Sequence, residues 1–108
     1  MRPSPRTKSA RGKGTRSHHH LRLFMAGDGP NSRQALFNLR QICREHLKGH
    51  FKIETIDVVK DFDAAVRDNI LITPSLILVA PLPKVVVLGN LSDRQKVLLA
   101  LRLLEGAA

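Results

Sequence analysis

The sequence predicts a single α/β domain in which a four-stranded mixed sheet carries helices on both faces. Three observations predict it. From residue 21 onward, short β-type runs alternate with stretches of helical periodicity in the order βαβαββα. The last two β-type runs are separated only by Pro81-Leu82-Pro83, too short for a crossover, so they pair as an antiparallel hairpin. The chain has 108 residues, one cysteine and no apolar run near the ~20 residues that span a bilayer, so one small core forms without an internal disulfide or a membrane span. With 4% aromatic residues and neither Trp nor Tyr, that core is aliphatic.

Residues 1–20 read as a disordered basic arm, and residues 21–108 as the domain. The arm is rich in Pro, Gly, Ser and Arg and has almost no large apolar side chain before His18, so it buries too little to offset its ordering entropy. It lacks the apolar stretch of a secretory signal and the amphipathic face of a transit peptide. Its Arg2, Arg6, Lys8, Arg11, Lys13 and Arg16 account for six units of the formal net charge of +9, leaving +3 for the domain. The basic footprint therefore lies off the folded face with no aromatics interleaved, which argues against a specific nucleic-acid partner. His18-His19-His20 reads as a solvated lead into the first strand. Successive strand side chains point to alternate faces, so the three do not converge on one metal ion.

Leu21–Ala26 has the length and composition of a strand, and Gly27-Asp28-Gly29-Pro30 is turn chemistry. Asn31 or Ser32 caps a helix reaching about Leu47, with Ala35, Leu36, Leu39, Ile42, Cys43 and Leu47 as its apolar stripe. Gly49 ends it. Phe51–Val58 alternates and is the second strand. Asp61–Asn69 is a short helix capped by Asp61, with Phe62, Ala65 and Val66 facing inward. Ser75–Ala80 and Lys84–Leu88 are the hairpin strands. Ser92–Leu104 is the final helix; Ser92 with Gln95 makes a capping box, and Val97, Leu98, Leu101 and Leu104 make its stripe. A right-handed crossover makes the first two strands parallel. The result is the thioredoxin-like topology.

That topology raises the question of redox chemistry, which needs two thiols where the first strand meets the first helix, so that the helix N-terminus lowers a thiol pKa. Asp28-Gly29-Pro30-Asn31 occupies this place without sulfur. The lone thiol, Cys43, lies further down the helix on the apolar stripe and reads as a small buried hydrophobe. Thr73-Pro74 stands before the third strand, where this topology places a cis proline; proline is the residue for which the cis bond is cheap. Phosphate-loop, dinucleotide and zinc-protease motifs are absent. An anion at the helix start after Gly27-Asp28-Gly29 would be repelled by Asp28. Asp57, Asp61, Asp63 and Asp68 read as a solvated acidic face. No catalytic residue, metal site or cofactor is expected.

The chain resembles the KaiB family. The resemblance rests on Ala26-Gly27-x-x-Pro30-Asn31-Ser32, Ile56-Asp57-Val58-x-Lys60, Ile70-Leu71-x-Thr73-Pro74, Gly89-x-Leu91-Ser92-x-Arg94-x-Lys96-Val97-Leu98 and Leu103-Leu104. These motifs run in order across nearly all of 21–104. KaiB-like sensor domains of histidine kinases share part of the pattern. The resemblance implies a cytoplasmic, non-enzymatic regulator, monomeric or a small homo-oligomer, that docks on a KaiC-type ring ATPase in a clock or a simpler timing or stress system. A KaiA-like protein or a histidine kinase is a further or alternative partner. Asp61, Arg67, Asp68 and Asn69 are candidate partner contacts. The resemblance also implies that clock members switch between a tetrameric ground-state fold, βαββααβ, and a thioredoxin-like monomer that binds KaiC.

The positions tied to that switch are Thr73, Pro74, Pro81, Pro83, Gly89, Ala100 and Arg102. Clock members typically read Leu-Ile-Gly-Leu-Asp-Leu-Leu where this chain has Leu98-Leu99-Ala100-Leu101-Arg102-Leu103-Leu104. Ala for Gly favours helix by ~1 kcal/mol, and Arg outranks Asp in a helix interior by some tenths. The basic pair often found in the fourth strand is Val85-Val86 here, and Gly-Asp-Leu-Ser becomes Gly89-Asn90-Leu91-Ser92. These departures favour the thioredoxin-like form as the resting state.

Overall fold

The computed structural model describes residues 18–103. The elements are β1 (His19–Met25), α1 (Pro30–His46), β2 (Phe51–Asp57), α2 (Phe62–Arg67), β3 (Ser75–Ala80), β4 (Val85–Leu88) and α3 (Arg94–Ala100). The disorder expected of the arm before His18 lies outside the described residues; the final helix, expected over Ser92–Leu104, is shorter and ends at Ala100, with 101–103 already outside it.

The sheet order is β2-β1-β3-β4. β1 pairs parallel with β2 and antiparallel with β3, and β3 pairs antiparallel with β4. The βαβαββα thioredoxin-like arrangement is therefore the fold observed. The central strands β1 and β3 are covered on both faces, which is why Ser75–Leu78 is continuously buried rather than alternating. On one face, Leu21, Leu23, Leu76 and Leu78 meet Leu39, Ile42 and Cys43 of α1 and Val97 and Leu98 of α3. Each fully buried leucine there contributes ~1.5–3 kcal/mol relative to exposure. On the other face a smaller cluster joins Phe24 and Ile77 to Ala64 of α2.

Several element ends differ from expectation. β1 starts at His19, two residues before Leu21, so the histidines are not all a solvated lead. His19 is only 7% exposed. Its Nε2–H donates to the Leu101 carbonyl at 3.1 Å, while Nδ1 has no hydrogen-bond partner among the described residues. His20 points to the opposite face and meets Glu54 at 3.3 Å. α1 is capped by Gly29 with Pro30 at its first position, not by Asn31 or Ser32. Proline has no N–H to satisfy and a helix-ready φ, so the helix starts there without a side-chain cap.

α2 is shorter than Asp61–Asn69 and rotated from the expected face. It buries Ala64 and Ala65, whereas Phe62 and Val66 point outward. The helix meets the sheet through a small side chain, Ala64 packing with Phe24 and Ile77. In α3 the cap is Asp93, whose carboxylate accepts from the Lys96 N–H at 3.2 Å; the Ser92–Gln95 capping box does not form.

Arg102 also departs from expectation. α3 ends at Ala100, and Arg102 lies beyond it in the left-handed region with φ 60°. An advantage over Asp in a helix interior therefore does not apply to it. Its guanidinium instead donates to the carbonyls of Pro81 and of Pro83, the latter at 3.4 Å, and so fastens the β3–β4 loop to the end of α3.

Candidate functional site

α2 and its two flanking connections form the face richest in unsatisfied surface. Phe62 and Val66, four residues apart on one helix face, both project into solvent. Val59 before the helix and Leu71 and Ile72 after it are exposed as well; Phe62 is 70% and Leu71 95% exposed. Two of the chain's four phenylalanines, Phe37 and Phe62, lie outside the core of a protein with few aromatic residues to fill it.

Behind α2 a cleft of about 400 Å³ opens against β1 and β2, lined by Arg22, Glu54, Thr55, Asp61, Arg67 and Asp68 among others. Arg22 is its hub. The parallel register sets Arg22 beside Glu54, and its Nε donates to Glu54 Oε1 at 3.0 Å while Nη1 donates to Asp68 Oδ2 at 2.8 Å. The hydrogen bond from Arg22 is the main reason that the Glu54 carboxyl sits below its ordinary pKa; the bond to Glu54 raises the guanidinium in turn.

Of the acidic residues expected to form a solvated face, Asp57, Asp61 and Asp68 have local partners, while Asp63 is exposed. Asp57 accepts from the backbone N–H groups of Gly27 and Val59, both at 3.0 Å, which lowers its pKa. It thereby ties the β1–α1 turn to the end of β2. Asp61 caps α2 through the Ala64 N–H at 3.2 Å.

Of the candidate partner contacts, Asp61, Arg67 and Asp68 converge on the cleft. Asn69 follows at the helix end in the left-handed region, φ 56°. The positions that the resemblance ties to a fold switch fall into two groups. The Thr73–Pro74 bond is cis, and the Pro74 carbonyl accepts from the Gly89 N–H at 2.9 Å. Pro81, Pro83 and Arg102 form the second group, with both X–Pro bonds of the loop cis. Ala100 packs half-buried against the larger core. Asp28, Gly29, Pro30 and Asn31 stand at the strand-to-helix junction, where a redox pair would be. Burial pushes the Cys43 thiol up to about 12, far from a reactive thiolate.

Sequence reasoning missed Arg22, Glu54 and the outward turn of Phe62 and Val66. The first two depend on strand register. The alanine pair at 64–65 was the one signal that could have oriented α2. It missed a basic folded face as well: Arg33, Arg40 and Arg44 line the outer side of α1 around Phe37.

Residues 22–103 match the family profile of the KaiB domain. The chain belongs to the KaiB family. It is 44% identical over 91 residues to the circadian clock oscillator protein KaiB of Synechococcus elongatus, spanning 84% of this chain and 89% of that protein. It is 45% identical over 84 residues to the corresponding protein of Microcystis aeruginosa, spanning 78% and 81%. In fold, this KaiB-family chain is similar to the N-terminal domain of Synechococcus elongatus SasA, with a TM-score of 0.68 at 19% identity over 94% of this chain and all of that one. It is also similar to chloroplastic thioredoxin z, with a TM-score of 0.66 at 21% identity over 82% and 80%. Among the described residues no helix is long and apolar enough to cross a membrane.

Proposed function

We propose that this chain is a non-enzymatic regulator that docks on a KaiC-type ring ATPase through the α2 face, in its thioredoxin-like form. The observation that supports this most is the exposure of Val59, Phe62, Val66, Leu71 and Ile72 along one short segment. Clustered exposed apolar side chains mark interaction sites, and aromatic side chains dominate binding energy at such sites. Asp61, Arg67 and Asp68 give the same face polar contacts that fix orientation. Cytoplasmic action as a monomer or small homo-oligomer fits this role. The alternative is an adaptor for another signalling protein such as a histidine kinase, and KaiA-like proteins are further partners of a docked complex.

The test is surface-immobilised binding of the full chain to a purified KaiC-type ATPase and, in parallel, to a purified histidine kinase of the same cell. Phe62→Ala with Val66→Ala weakens ATPase binding by about tenfold or more, the loss of ~1.4 kcal/mol or more of contact. Because both side chains are solvent-facing, the thermal midpoint stays where it was. ATPase binding that ignores the double substitution overturns the α2 assignment. Binding to the kinase alone overturns the choice of partner.

A further inference from the structure

We infer that the outer face of α1 is a second docking surface, built to receive an acidic amphipathic helix of a protein partner. Arg33, Phe37, Arg40 and Arg44 are all exposed. At 3.6 residues per turn, these four positions fall within about 60° of one another around the helix. They form one ridge, with the arginines spaced ~10.5 and ~16.5 Å along the axis from the first. Phe37 stands between the arginines and is 56% exposed.

The ridge has little internal neutralisation. Arg33 meets Asp28 at 3.7 Å, in a pair exposed on both sides. The one acid within α1, Glu45, is taken by Arg94 of α3. Among the described residues Arg40 and Arg44 form no ion pair. Two of the three guanidinium groups in helical register are thus without a carboxylate of their own, and the third has only a loose, solvent-exposed one.

Charge and shape select the occupant. The repeats of seven and eleven residues match carboxylates at the same spacing on a facing helix. A single exposed ring among arginines is the composition of a protein hot spot. A single nucleic-acid strand needs a groove and successive stacking rings, whereas this ridge is convex and has one ring, with Asp28 at its end. A lipid surface needs a broad apolar face, and Phe37 stands alone.

The surface is separate from the one proposed for the ATPase. α1 shares its sheet face with α3, and α2 occupies the other. A partner on the α1 ridge leaves α2 free, so the domain holds two proteins at once and acts as a bridge between them.

The test uses the full chain and three probes: a synthetic acidic amphipathic helical peptide with glutamates at i, i+7 and i+11 around a leucine, a twenty-nucleotide oligo-dT, and phosphatidylserine vesicles. The peptide binds best. Phe37→Ala weakens peptide binding by about thirtyfold, as for a hot-spot residue. Arg40→Glu with Arg44→Glu abolishes it, and a lysine-for-glutamate peptide binds that variant instead. Lys52→Glu with Lys84→Glu, which removes the same charge elsewhere, changes peptide affinity less than threefold. Phe62→Ala with Val66→Ala leaves it unchanged, so failure here and failure of the ATPase reading are told apart. Equal losses from the ridge and off-ridge charge variants, no effect of Phe37→Ala, or tighter binding of the oligonucleotide or the vesicles overturns the inference.

Discussion

Glu54 and Asp57 carry a pH signature that can be worked out from their partners alone. Arg22 holds Glu54 below the ordinary carboxylate range, and two backbone N–H groups do the same for Asp57. The folded pKa then lies below the unfolded one, so the unfolded chain binds more protons across the interval between them. Stability rises with pH there. The contribution is complete above about pH 5 and is lost as the pH falls below ~4 through the lowered folded values. Urea midpoints measured from pH 6 to pH 3 should show this slope, and it should be shallower in Glu54→Gln and Asp57→Asn. Slopes equal to that of the parent chain would show that these bonds do not form in solution. Little of this was legible in the sequence. Nothing local tells Arg22 that Glu54 lies beside it, because their meeting depends on the register of two strands. Cys43 was legible, because a thiol on the apolar stripe of a helix is buried by the same pattern that buries its leucines.

At the scale of the element, periodicity placed all seven elements, and their ends were decided by single side chains. Ser92 and Asp93 are both good caps and stand next to each other, so sequence pattern alone does not choose between them. The structure chooses Asp93, whose carboxylate reaches the Lys96 N–H. An anion at a helix N-terminus also gains from the helix dipole, which a hydroxyl does not. Asp93→Ala should therefore lower stability by ~1 kcal/mol, while Ser92→Ala stays within about 0.5 kcal/mol of the parent chain. Urea denaturation of the two variants checks this, and the reverse order would restore the capping box. α2 was misread for a related reason. Hydrophobic pattern weighs Phe62 and Val66 above alanine, yet the six-residue helix buries Ala64 and Ala65 and packs Ala64 with Phe24 and Ile77. The bulky ones left outside are those available for binding.

For the molecule as a whole, the parallel β1–β2 pair and the antiparallel β3–β4 hairpin followed from the connections, whereas the antiparallel joining of β1 to β3 depends on long-range packing. What holds the C-terminal part in this arrangement was legible only in part. Ala100 is the last residue of α3, half-buried against the larger core, and alanine favours helix over glycine. Arg102 acts otherwise, through the Pro81 and Pro83 carbonyls rather than through helix propensity. Aspartate at 102 would accept the left-handed backbone somewhat better, yet it would bring an acceptor to two acceptors. Taken together, Ala100→Gly with Arg102→Asp should disfavour the thioredoxin-like form by ~1–2 kcal/mol, a shift of about tenfold or more in any two-state balance. The resemblance to clock members supplies the competing state, a fold in which the C-terminal half repacks and the chain tetramerises. Two packings of one sequence that differ by only a few kcal/mol are inverted by a change of this size. Backbone NMR of the parent chain should therefore show one set of resonances with helical shifts over 94–100. The double variant should add a second set with strand-like shifts in that segment and a heavier species in sedimentation. It should also associate more slowly with a KaiC-type ATPase, because fewer molecules are binding-competent at any moment. Strand shifts in the parent chain would refute the resting fold. A double variant that stayed wholly helical would leave the fold standing and remove these two residues as what sets the balance.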